Sequence, residues 1–159
     1  IFPARLSNRG PAMPDPYSKD VLQLAASIPH LGRLPSPHGS ARKVSRLCGS
    51  EVTVDVELRG GAVSAFGLEV QACALGQAAA SVVAEGIIGA DRAEIASGLK
   101  ALNALLAGTS GTVDGRFSGL GVLAPARDYP ARHGSIRLAL EAALAAFDAA
   151  SDRTPTDVS

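Results

Sequence analysis

Between Glu51 and Leu58 apolar and polar side chains alternate strictly: Val52, Val54, Val56 and Leu58 fall on one side, Glu51, Thr53, Asp55 and Glu57 on the other. A period of two is that of a β-strand with one face buried and the other in water. Gly60-Gly61 follows, and paired glycines accept the positive φ angles of a two-residue hairpin turn. The return strand, Ala62 to Val70, carries Phe66, Leu68 and Val70 on one face. Small Ala65 and Gly67 occupy its other face, where they leave room for a helix to lie close to the sheet.

Past Cys73 the period lengthens to that of a helix, which runs to about Gly86 with Leu75, Ala79, Val82 and Val83 toward the core. Ser18 is placed to cap an earlier helix through about Ile28, with Val21, Leu24, Ala25 and Ile28 on one face and Pro29 ending it. His30 to Ser40, with two prolines and two glycines, reads as a loop, and Ala41 to Arg46 as a short edge strand. Asp91 and Glu94 resemble a capping box ahead of a helix carrying Ile95, Leu99, Leu102 and Leu106. Gly108 to Gly121 is rich in Gly and Ser and is expected to be a mobile loop, anchored by Phe117, Leu120, Val122 and Leu123. Ala124 to Gly134 reads as a polar connector, and a last helix from about Ile136 to Ala149 buries Ile136, Leu140, Ala143, Leu144 and Phe147.

A chain of 159 residues makes one domain the leading expectation, and a domain of that size buries roughly 68–70% of its unfolded surface. It needs no disulfide or metal to hold its core. Residues 1–16 are expected to be a disordered leader, 17–150 the folded domain, and 151–159 a flexible tail. Met13, followed by Pro14-Asp15-Pro16 and a helical pattern, reads as a native start that leaves residues 1–12 as an added segment. Net charge is zero, so no electrostatic footprint points to nucleic acid or an anionic membrane. No run of about 18 apolar residues suggests a membrane span, and no apolar stretch near the N-terminus suggests a secretory signal. The expected compartment is the cytoplasm, where two cysteines act as thiols or ligands more often than as a lasting bridge.

Those two cysteines, Cys48 and Cys73, flank the hairpin. Two arms of about equal length bring the outer ends of a hairpin together, so the thiols are predicted to lie near one another. Cys73 opens a helix, where unpaired N–H groups and the helix dipole favour a thiolate. The competing reading is a small buried hydrophobe, which most free cysteines are. Gly49 frees the backbone beside Cys48; Ser50 shares its parity, while Glu51 faces the other way. Near the last helix, Ser135 reads first as an N-cap, and His133, in a run with Arg127 and Arg132, as a solvated side chain. His30 and His38 lie in the Pro-rich loop and are not favoured as ligands. No paired general acid and base, Gly-rich phosphate loop or Ser-His-Asp order is evident, so the chain is not expected to be an enzyme.

Taken in order, Tyr17-Ser18 with Val21-Leu22, Leu31-Gly32-Arg33-Leu34, Cys48-Gly49 before a strand, Phe66-Gly67 through Cys73 and a closing amphipathic helix resemble the IscU/NifU-type iron–sulfur cluster assembly scaffolds. Tyr129-Pro130-Ala131-Arg132 is most similar to the SufU branch. The resemblance spans Tyr17 to Phe147 and implies an α+β fold, a small antiparallel sheet of about three strands packed against several α-helices. It also implies three cysteines converging at one exposed end. There they receive iron, and sulfide from a cysteine desulfurase, hold a two-iron, two-sulfur cluster, and release it to acceptor proteins.

Cys48 and Cys73 match the first two family cysteines; aligned through Tyr129-Pro130-Ala131-Arg132, the third falls on Ser135, and the Asp that in the family follows the first Cys-Gly, and keeps the site labile or supplies a further ligand, falls on Ser50. A serine hydroxyl is hard and protonated at neutral pH, a poor replacement for a thiolate on iron. Three completions follow: His133 as a further ligand, an oxygen from Glu51, or two chains each giving two sulfurs, which implies a homodimer. The leading expectation is a scaffold binding iron or a cluster through Cys48 and Cys73. The alternatives are a desulfurase-binding interaction module that carries no cluster, and a zinc-binding relative, since zinc accepts His and carboxylate beside two sulfurs.

Overall fold

A computed structural model describes residues 15–153. Most of the expected N-terminal leader and most of the expected C-terminal tail lie outside the described residues. Helix α1 (Lys19–Ala26) is followed by strands β1 (Gly39–Ser45), β2 (Ser50–Arg59) and β3 (Ala62–Gln71). Helices α2 (Ala74–Gly86) and α3 (Arg92–Ala107) come next, then 3-10 turns over Gly115–Asp128 and Pro130–Arg132, and the long α4 (His133–Arg153). The strands form one antiparallel sheet in the order β1-β2-β3, so the α+β reading with a small sheet holds.

The local reasons are those the pattern suggested. Ser18 accepts from the Val21 N–H at 3.2 Å as N-cap of α1. Gly60 and Gly61 turn β2 into β3 at φ angles of 63° and 80°. Asp91 accepts from the Glu94 N–H at 2.8 Å while Glu94 accepts from the Asp91 N–H at 3.1 Å, a complete capping box on α3. Val52, Val54, Val56, Phe66 and Leu68 line the inner face of the sheet in the buried core. Helix α4 packs across β1 and β2, with α2 and α3 against its other sides. Being surrounded, it buries Ile136, Leu138, Leu140, Ala143, Ala146 and Phe147, and Ala at the close approaches brings the layers together.

The structure departs from the pattern in four places. Asp55, expected on the wet face of β2, is fully buried. The outer face of the sheet is covered there by the segment after α1. Gly32 donates to Leu68 O at 2.8 Å along the free edge of β3, and the chain then crosses the sheet. Asp55 holds the crossing: Arg33 Nε and Nη2 donate to it at 2.7 and 3.0 Å, the Leu34 N–H at 2.9 Å and the Ser40 hydroxyl at 2.6 Å. Burial pushes the Asp55 carboxyl up, but these donors outweigh it and hold the group below the usual carboxylate range. Gly67, the cross-strand partner of Asp55, therefore faces this strap and not a helix, since a Cβ there would meet Gly32 O at 2.5 Å.

Second, β1 starts at Gly39, where the missing Cβ lets the strand pass against the backbone of α4 at Ala146 and Ala150. Third, the stretch expected to be a mobile loop and a polar connector is largely wound into 3-10 turns. Its apolar residues recur every three positions, at Phe117, Leu120, Leu123 and Ala126, and all four are buried. Fourth, α4 begins at His133 rather than Ile136 and continues past Ala149 to Arg153. Ser135 is consequently inside the first turn of the helix and is not its N-cap.

Candidate functional site

Cys48 belongs to the four-residue connection between β1 and β2, closed by the Ser45–Ser50 strand pair. Gly49 in this turn has φ +70° and donates its N–H to Ser45 O at 2.8 Å. On the far side of the β2–β3 hairpin, Glu51 pairs with Gln71, so the two outer ends lie together. Cys73 follows as the N-cap residue of α2, without using its side chain as a cap. Both thiols are half-buried and free, and both line one open depression of about 470 Å³ with Gly49, Ser50, Val70, Gln71, Ala72 and Gln77.

Two serines connect the sulfurs beneath this surface. Cys48 Sγ lies 3.6 Å from Ser50 Oγ, the Ser135 hydroxyl donates to Ser50 Oγ at 3.0 Å, and Cys73 Sγ lies 3.6 Å from Ser135 Oγ. Ser50 and Ser135 are buried, at 3% and 1% exposed, so their hydroxyls are satisfied inside the protein. Ser45 Oγ adds a contact at 3.3 Å to Cys48 Sγ. Burial pushes the Cys48 thiol up; the Ser45 and Ser50 hydroxyls and the Ser50 and Ser135 N–H groups outweigh it, leaving the thiol below its ordinary value. Helix α4 thus enters the site through its first turn, where N–H groups are unpaired.

The approach of the two helix starts depends on small residues. A Cβ on Gly76 in α2 would collide with Ser135 Oγ, and one on Gly134 would lie 2.6 Å from Ser45 Oγ. Ser45 did not stand out in the sequence. Ser45 was legible only as the residue that closes the turn holding Cys48.

His133 and Glu51 are not brought to the thiols in the same way. The His133 ring lies 2.8 Å from Ala126 O, a contact in which Nε2 must be the donor, because a carbonyl only accepts. Glu51 points to the outer face of the sheet and pairs with Arg42. Among the described residues no group of three or more His, Cys, Asp and Glu side chains is placed to hold one metal ion. Two thiols and two protonated hydroxyls do not amount to the four-sulfur set that a two-iron cluster takes, so the residues of one chain do not fit a complete cluster site. Among the described residues no helix is long and apolar enough to cross a membrane.

No protein-family model matches the sequence, and the search of curated proteins gives no match either. Solved structures do match. The crystal structure of a nitrogen-fixing NifU-like protein (N-terminal) from Brucella abortus is 37% identical, superposes with a TM-score of 0.85, and is covered over 99% of its length by 89% of this chain. A SufU protein from Fervidobacterium islandicum, named for a role as iron–sulfur cluster assembly scaffold of the SUF system, shares the fold at 22% identity. Its TM-score is 0.74, over 83% of this chain and 96% of that one. At that identity over nearly the whole domain, this chain belongs to the IscU/NifU/SufU-like family.

Proposed function

We propose that the protein is an iron–sulfur cluster assembly scaffold. It takes up iron, and sulfide supplied by a cysteine desulfurase, at Cys48 and Cys73, and hands the assembled cargo to acceptor proteins. It performs no turnover chemistry of its own. The observation that carries this reading is the placement of two half-buried thiols in one open depression at the end of the hairpin. Family membership supports it, as does the SUF-system role for which a neighbour of the same fold is named. Anaerobic incubation with ferrous iron, cysteine, a desulfurase and a dithiol reductant, which brings the persulfide sulfur to sulfide, is expected to give protein-bound iron and sulfide. Cys48→Ala and Cys73→Ala are each expected to abolish that binding with an unchanged circular dichroism spectrum. Undiminished binding in both variants would sink the proposal.

One observation favours a second reading. Ser135 stands where the resemblance places a third thiol, and its hydroxyl is committed to Ser50. An interaction module that docks a desulfurase without carrying a cluster would account for that. A stable complex with the desulfurase that survives removal of both thiols, in protein that takes up no iron, supports this reading. Stoichiometric zinc in protein purified without added metal would support the zinc-binding one.

A further inference from the structure

A second cleft lies between α1 and α2. Helical spacing puts Asp20, Leu24 and Ser27 on one face of α1, and Ser81 and Glu85 on one face of α2. With Val122 from the 3-10 stretch they line an open cleft of about 400 Å³ that has no Lys, Arg or His in its walls. Along α2, Ser81 stands about 12 Å from Cys73, at about 1.5 Å of rise per residue.

The polar groups here are acceptors that lack a cation. Among the described residues neither Asp20 nor Glu85 makes an ion pair. Ser27 caps the C-terminal end of α1, where the helix dipole is negative and the last turn carries no basic residue. Ser81 is 0% exposed, and its hydroxyl finds only Ser27 O, at 3.5 Å, where an O–H···O bond spans about 2.5–3.0 Å. A buried hydroxyl held this loosely at the floor of a polar cleft has bonding capacity left for an incoming group.

We infer that this cleft docks an arginine side chain of a partner protein. Two carboxylates, a helix C-terminus and a hydroxyl offer acceptors to a planar head with five N–H donors. Leu24 and Val122, both half-buried, give the aliphatic stem an apolar wall. A bare divalent ion fits less well, because among the described residues no three His, Cys, Asp or Glu side chains converge on one point. A free small molecule is also less suited, since sites for such ligands bury about 70–90% of the ligand surface. Asp20, Ser27 and Glu85 are exposed and leave one side of the cleft open. A side chain carried on a partner is covered on that side by its own protein. Docking here is independent of what Cys48 and Cys73 hold.

The isotope-labelled full chain is titrated with a blocked Gly-Arg-Gly peptide and followed by amide chemical shifts. Saturable shifts are expected at Leu24, Ser27, Ser81 and Val122, with an affinity that falls as salt is raised. The matching citrulline peptide, which keeps the shape and loses the charge, is expected to give none. Asp20→Asn and Glu85→Gln are each expected to weaken binding about threefold, and together to leave no saturable shift. Ser81→Ala should weaken it as well, while Glu57→Gln, on the sheet, leaves it unchanged. No saturable shift with the arginine peptide, equal shifts with the citrulline peptide, or undiminished binding in the double variant overturns the docking site. Binding of agmatine, a free guanidine, without binding of the peptide assigns the cleft to a small molecule and overturns the partner's arginine. An unchanged affinity in Ser81→Ala strikes the hydroxyl from the site.

Discussion

The hydroxyl of Ser135, in the first turn of the last helix, donates to Ser50 Oγ at the start of β2, across 3.0 Å of protein interior and 85 residues of chain. Each serine also reaches one cysteine, so the contact joins the two halves of the site as well as the helix to the sheet. Removing one hydroxyl leaves the other with a partner missing in a dry place, and such groups cost about 1–3 kcal/mol. Ser50→Ala and Ser135→Ala are each expected to lose stability in that range. The double variant should lose clearly less than the two losses added together. Urea denaturation of all four proteins checks this, and strict additivity would show that the two hydroxyls are not coupled.

Gly76→Ala sets two effects of opposite sign against each other. Helix propensity alone favours Ala over Gly by about 0.8–1 kcal/mol. The new Cβ, however, would collide with Ser135 Oγ and lie 2.8 Å from the Ala72 Cβ. Overpacking of this kind costs about 1–3 kcal/mol. The expected outcome is net destabilisation, relieved in part when Ser135→Ala is added. A variant more stable than the parent would mean that the two helix starts are not in close contact.

Hydrogen bonds to the Cys48 sulfur make it the thiol whose reactivity reports the site. Its alkylation by iodoacetamide is expected to reach half its maximal rate at a lower pH than that of a free thiol. Ser45→Ala should move the midpoint upward, because it removes a contact at 3.3 Å that favours the anion. A pH–rate profile followed by peptide mass mapping separates Cys48 from Cys73. A midpoint unmoved by Ser45→Ala would remove the hydroxyl from the account.

Asp55 makes the strap over the sheet sensitive to acid. Its folded carboxyl titrates below the unfolded value of about 3.9. The unfolded chain therefore binds this proton first as pH falls, and the stability that the carboxylate provides is complete above that value. It is lost as pH drops further, through the folded pKa. The exposed Arg92–Asp148 pair acts in the same direction, but solvent screens it. The urea midpoint of the parent should hold steady from pH 7 to about 5 and fall below about 4. Asp55→Asn should start lower and fall less steeply in that window. Parallel curves would show that Asp55 does not set the acid limit.

Much of this architecture was written into local pattern. Alternation around Val52, Val54 and Val56 marked β2, Gly60-Gly61 the turn, Asp91 with Glu94 a helix start, and equal hairpin arms the convergence of Cys48 with Cys73. These features are encoded in neighbours along the chain, where the period of side-chain direction and the φ preferences of Gly act directly. The polar residues that went deeper than the pattern suggested are those whose partners are remote. Asp55 looked like any solvated carboxylate, because Arg33, Leu34 and Ser40 meet it only once the strap has crossed the sheet. Ser135 looked like a helix cap, because nothing nearby in sequence showed that α4 would begin at His133 and carry Ser135 under β2. Local sequence thus settled which segments are strands and helices and where the two sulfurs go. Tertiary packing alone settled which polar groups are buried between them, because a buried hydroxyl or carboxylate is stable only where the rest of the chain delivers its hydrogen-bond partners.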